Sequence, residues 1–152
     1  TLHTNDAISS ALRLMDMGAP GYLVASALRA IVAQRLVRRI CRDCHEPHPL
    51  DSSEEVWLNN LFGEAVKTHT FSHGRGCQSC NFTGYAGRIG VFELLELDDS
   101  MMDALRREDP DGFARAARAH VEYRSLVEMA LEYACAGITT VSEVLRLAEV
   151  VS

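Results

Sequence analysis

The sequence predicts an α+β chain, mainly helical, in which a metal-bound loop lies between helical segments and a short strand. Three observations carry this. Most apolar residues recur at three- and four-residue spacing between recognisable capping residues, as in amphipathic helices. One run, Ile89-Gly90-Val91-Phe92-Glu93-Leu94-Leu95, is apolar nearly throughout, as a largely buried strand is. Two Cys-x-x-Cys pairs, Cys41/Cys44 and Cys77/Cys80, sit in stretches rich in glycine and proline.

Residues 6–17 read as the first helix: Asp6 or Asn5 caps it, Ile8, Ala11, Leu12 and Met15 share a face, and Gly18 stops it. Pro20 opens a second helix, and Leu28, Ile31, Val32, Leu36 and Ile40 continue at helical spacing into a core, with Leu36–Ile40 passing into an extended stretch. Residues 41–51 read as loop, with Pro47 and Pro49. Ser52 and Glu55 form a capping box for a short helix that ends at Gly63. Thr68–Phe71 is a candidate strand, and Gly74, Gly76, Gly84 and Gly87 mark a turn-rich stretch.

After the apolar run the chain reads as helical. Ser100 caps one helix, and Asp109-Pro110 starts another with proline in its first turn. Ser125 and Glu128 box a helix whose stripe is Leu126, Val127, Ala130, Leu131 and Ala134, ending at Gly137. Thr140 and Glu143 box the last helix.

The composition suits a folded chain. Of 152 residues 47% are hydrophobic, enough for one domain with a core or two small lobes. No run approaches the roughly 18 apolar residues of a membrane span, and the opening Thr1-Leu2-His3-Thr4 has no features of a signal peptide. The net charge of −6 argues against a general nucleic-acid binder. Arg29, Arg35, Arg38, Arg39 and Arg42 are a local exception, read either as a solvated helix face or as an interface facing an anion.

Cysteine chemistry is the strongest signal. Without an export signal, paired thiols favour metal over disulfides. Two Cys-x-x-Cys knuckles separated by 32 residues supply four soft ligands to one zinc ion, and Arg42 and Arg75 stand near enough in sequence to offset thiolate charge. Four thiolates close the coordination shell, so the expected role is structural. His45, His48, His69 and His73 are nearby substitutes that four cysteines make unnecessary. Cys135 falls on an apolar helix and reads as a buried, inert thiol. No phosphate-cradling G-x-x-x-x-G precedes the single lysine, Lys67, and no nucleophile elbow or H-E-x-x-H occurs. No complete catalytic site is legible.

Several stretches together resemble the C-terminal end of the ATPases that drive type II secretion and type IV pilus assembly. Thr1-Leu2-His3-Thr4-Asn5-Asp6-Ala7 is similar to their histidine box. Arg13–Gly18 and Ala33–Arg38 are similar to the helices that come after that box in the family. Gly76-Cys77-Gln78-Ser79-Cys80, Thr83–Glu93, and Gly137–Thr140 with Glu143-Val144 continue the likeness in order. Arg124-Ser125-Leu126-Val127 lacks a glycine that the family often carries there.

The resemblance implies the tail of a RecA-like α/β motor domain with an inserted tetracysteine zinc element and a helical C-terminal subdomain. Residues 1–40 would be the helical end of the motor domain and 41–87 the zinc element. Residues 88–97 would be a strand returning to the motor, and 98–152 the helical subdomain. It implies a parent that binds ATP and Mg, works as a homo-hexamer on the cytoplasmic face of the inner membrane, and acts on a polytopic membrane partner and other secretion or pilus components. His3 would lie near the terminal phosphate in that parent, and this chain alone would be inactive. Arg88 and Glu93 match the family segment after the zinc loop and read as a salt-bridged strand end. The alternative from another class is a free-standing zinc-ribbon module that binds nucleic acid or protein.

Overall fold

A computed structural model describes residues 4–63, 66 and 68–151. His3 and Lys67 lie outside the described residues. The chain is α+β and divides into two compact units, Thr1–Arg35 with Phe92–Leu126 and Val150–Ser152, and Leu36–Val91 with Val127–Glu149.

The first unit holds α1 (Ala7–Asp16), α2 (Gly21–Ala27), α4 (Asp99–Arg106) and α5 (Pro110–Ala119). Its core is Ala7, Ile8, Ala11, Val24, Ala25, Leu95, Met101, Leu105, Phe113 and Ala117. These residues fall on one face of each helix, so the apolar stripes read from the sequence are what the unit buries. Aspartates cap the helices. Asp6 accepts from the Ser9 N–H and Asp109 from the Gly112 N–H, with Pro110 in the first turn. At α4 the cap is Asp98, which accepts from the Met101 N–H at 2.8 Å, and the expected cap Ser100 only donates its hydroxyl to Asp98. Asp98→Ala should therefore cost about 1 kcal/mol and Ser100→Ala clearly less, read as the shift in urea midpoint at unchanged slope.

The second unit holds β2 (His45–His48), α3 (Ser52–Phe62), β3 (Phe71–Gly74), α6 (Leu126–Cys135) and α7 (Val141–Val151), apart from the residues at the ends of α6 and α7. Two long strands, β1 (Ala30–Ile40) and β4 (Tyr85–Glu96), pair in a two-stranded sheet and contribute residues to both units. β2 and β3 form a second, antiparallel pair in the register His45↔Gly74, Glu46↔His73, Pro47↔Ser72 and His48↔Phe71.

Several expectations are corrected. The helical reading of 28–36 fails: helix α2 stops at Ala27 and the chain is strand from Ala30. The β-branched Ile31, Val32, Val37 and Ile40 favour the pleated backbone. Exposure then alternates, leaving Val32 62% and Leu36 51% exposed and not in a core. The arginines 35, 38 and 39 are thus on a strand whose successive side chains point to opposite faces, and form no helix face. β4 is longer than the apolar run and is buried on one side only, with Phe92 and Leu94 about half exposed. The stretch 41–51, read as loop, contains β2; the strand expected at Thr68–Phe71 begins at Phe71. The box on α3 is Asp51 with Glu54, one residue ahead of the expected pair.

Candidate metal centre

Each cysteine pair is held by a short 3-10 turn. The first, Arg42–Cys44, continues from the end of β1, so Cys41 closes the strand and Cys44 closes the turn. The second, Gln78–Cys80, follows Cys77 and is completed by two residues in left-handed backbone, Asn81 at φ 51 and Phe82 at φ 60. The β2–β3 pair brings the two turns together. Its first rung joins His45, next to Cys44, to Gly74, three residues before Cys77. Gly74 and Gly84 cross with no room for a side chain: a Cβ on Gly74 would stand 2.0 Å from the Gly84 carbonyl oxygen, and Gly84 has φ +77.

The four sulfurs of Cys41, Cys44, Cys77 and Cys80 lie within 4.8 Å of one another, close enough to hold a metal ion. The separations are 3.8 Å for Cys41–Cys77, 3.9 Å for Cys44–Cys80 and 3.7 Å for Cys77–Cys80. Three sulfurs belong to buried residues and Cys77 is half-buried. Backbone amides point at the sulfurs. Gly76 N–H donates to Cys44 Sγ, and both Cys77 N–H and Gly84 N–H donate to Cys80 Sγ, each at 3.3 Å. The Cys77 amide, helped by that of Gly84, draws the Cys80 thiol down to about 6, whereas burial pushes Cys44 up to about 12. The site thus contains one thiol prepared to ionise and one that burial holds protonated until a cation compensates its charge.

The residues named from sequence divide cleanly. All four cysteines converge, and no histidine joins them in a metal-sized cluster among the described residues. His48 Nε2 stands 2.9 Å from Glu54, and His73 Nε2 3.2 Å from Glu46. Arg42 and Arg75 are exposed, and the hydrogen bonds reaching the sulfurs come from backbone. Cys135 is half-buried where a buried thiol was expected, and its desolvation raises its pKa.

Sequence reasoning missed two carboxylates. Glu143 reads from sequence as a capping residue. Its N–H does take Thr140 Oγ1, but its buried carboxylate accepts from the Arg38 N–H at 2.8 Å, Arg38 Nε at 2.9 Å and Arg146 Nη2 at 2.8 Å. The Arg38 guanidinium also lies 3.9 Å from the Tyr85 ring centroid, and the Tyr85 hydroxyl pairs with Thr140 at 2.9 Å. This network sits three residues before Cys41. Glu93, expected as a salt-bridged strand end, is 1% exposed and bonds to the Ala7 N–H, the Leu126 N–H and the Tyr123 hydroxyl. Burial raises its pKa despite these three donors. The signal for Glu93 is an acid inside an apolar run; for Glu143 no local signal exists.

A family profile described as "Type II/IV secretion system protein" matches residues 1–146. The chain is 38% identical over 149 residues to a type II secretion system protein E of Klebsiella pneumoniae, covering 98% of this chain and 29% of that protein. It is 36% identical over 149 residues to a type II secretion system ATPase E of Vibrio cholerae, covering 97% of this chain and 28% of that protein. A type II secretion system protein E of Dickeya dadantii is 36% identical over 148 residues, again with 97% and 28% covered. The chain spans less than a third of the length of these curated relatives. Among the described residues no helix is long and apolar enough to cross a membrane.

Proposed function

Because the chain belongs to the type II/IV secretion system protein family, we propose that it is the C-terminal part of a cytoplasmic ATPase that powers type II secretion or type IV pilus assembly, with one structural zinc ion on Cys41, Cys44, Cys77 and Cys80. The observation that carries the reading is the convergence of four sulfurs in a chain that matches the family almost end to end. The identity of the ion is supported by geometry. Zinc–sulfur arms of about 2.3 Å in a tetrahedron give edges of about 3.8 Å. The sulfur separations of 3.7, 3.8 and 3.9 Å agree with that. Four thiolates leave no position for water, which makes the ion a staple and not a reagent.

The catalytic work belongs to the parent. A relative named as an ATPase supports hydrolysis of ATP there, and the P-loop that such chemistry needs is not in these 152 residues. His3 is assigned to the histidine box, to act beside ATP and Mg when the parent assembles, as a homo-hexamer, peripherally on the inner membrane with its polytopic partner. Residues 1–40 and 88–97 are assigned to the motor, 41–87 to the zinc element and 98–152 to the helical subdomain. A free-standing zinc-ribbon binder of nucleic acid is disfavoured by the net charge of −6 and by the family match over residues 1–146.

The full-length parent should hydrolyse ATP and carry about one zinc per chain, and residues 1–152 alone should carry the zinc without turnover. Elemental analysis and a coupled phosphate assay read both. Metal-free protein from a preparation without chelator removes the zinc. Turnover that tracks with the isolated chain removes the assignment of phosphate chemistry to the rest of the parent.

A further inference from the structure

The stretch Thr4–Ala7 is gripped from both strands of one sheet. From β1, Arg35 Nη2 donates to the Thr4 carbonyl at 2.9 Å. From β4, Glu93 Oε1 accepts the Ala7 N–H, also at 2.9 Å. Both side chains are on the less exposed side of their alternating strands. Between the two grips the stretch is folded onto the first turn of α1. The Thr4 and Ser10 hydroxyls meet at 2.6 Å, Ser10 donates to the Asp6 carbonyl at 2.7 Å, and Asp6 caps the helix.

Packing alone does not account for Glu93. Its neighbours on the same face, Val91 and Leu95, are fully buried and apolar, and a third apolar residue would fill the site without the desolvation cost of a carboxylate. What a carboxylate adds is a fixed position for its donors. Glu93 receives the first N–H of α1 and the first N–H of α6, where the helix dipoles favour a negative charge, and the Tyr123 hydroxyl completes the set. The start of α1 is thereby set relative to the strand, and Arg35 sets the residue three positions earlier.

We propose that Arg35 and Glu93 are positioning residues for the histidine box of the parent ATPase: the strand pair holds Thr4–Ala7 at both ends, and so sets the place of His3, which is bonded to Thr4. The proposal rests on the assignment of His3 made above. Misplacing a reacting group by about 1 Å can cost on the order of a hundredfold in rate while leaving substrate binding to other residues.

The test is a mutant cycle in the full-length parent. Arg35→Gln and Glu93→Gln should each lower kcat for ATP about tenfold or more with KM within about twofold, because nucleotide binding belongs to the P-loop. Arg35→Lys, which keeps one donor for the Thr4 carbonyl, should recover part of the rate. In a His3→Ala background neither substitution should lower kcat further. Losses that multiply in that background overturn the proposal, since a general structural defect would act independently of His3. So does an unchanged kcat in Arg35→Gln, or a KM that rises in step with the loss. Normal turnover in His3→Ala alone instead removes the histidine assignment itself. If Glu93→Gln does not fold, the partly exposed Arg35 carries the cycle through its Gln and Lys variants.

Discussion

Protein carrying Cys77→Ser and Cys80→Ser should lose hydrogen-exchange protection across residues 36–91 and 127–149 while α1, α4 and α5 keep theirs. The stretch between the cysteine pairs has one three-turn helix and one four-residue strand pair, too little apolar surface to fold unaided. A structural zinc supplies folding energy on the order of 10 kcal/mol in small zinc domains. By their caps and stripes alone, the helices after Asp98 should stand without the metal. The structure alters that expectation for α6 and α7, because residues 127–149 cluster with 36–91. Ile40 N–H bonds to the Ile138 carbonyl at 2.9 Å and Thr139 Oγ1 donates to the Arg38 carbonyl at 2.7 Å, both immediately before Cys41. Exchange measured by mass spectrometry resolves the pattern. Loss confined to 41–87 would show that these bonds do not couple the helices to the metal, and no loss anywhere would make the metal incidental.

Glu143→Ala should be the most destabilising single substitution at that junction, by about 3 kcal/mol. Removing one partner of a buried ion pair costs about 3–5 kcal/mol. The low end applies because the Arg38 side chain is 46% exposed and can rehydrate, although its backbone N–H would lose its acceptor. Glu143→Gln should cost less and should also change the pH profile. Burial opposes the Glu143 charge, but the hydrogen bonds and charge of Arg38 outweigh it and hold the carboxyl below its ordinary value. Its contribution is therefore fully present above the unfolded carboxylate value of about 4.3 and is lost as pH falls through the lower folded value. The stability difference between wild type and Glu143→Gln should shrink in that acid window. A difference that stays constant from pH 7 to pH 3 would show that the pair acts through shape and not charge.

The metal centre is legible in the sequence because its chemistry is local: two tight pairs, with glycines at the turns, need no knowledge of what lies between them. The helices are legible where a cap and a stop flank the stripe, as at Asp6 to Gly18 and at Asp109-Pro110. The strand from Ala30 is not, since apolar residues at 28, 31, 32, 36 and 40 fit a helical repeat, and only pairing with β4 decides for the extended form. β2 is hidden by Pro47 inside a four-residue strand of polar residues. Arg38 and Glu143 are 105 positions apart, so neither residue's local context predicts the other.

The last rung of the β2–β3 pair, His48↔Phe71, holds the two ends of residues 49–70 side by side. Antiparallel partners sit about 5 Å apart at the Cα atoms. Everything between them is an excursion that departs and returns at one doorway, with the sulfur cluster on the far side of the hairpin. Lengthening such an excursion leaves the doorway unchanged, and doubling a flexible loop adds only about 0.6 kcal/mol of closure entropy. The spacing between the cysteine pairs is therefore a tolerant quantity, open to insertions near the helix, while the few residues flanking each pair are not.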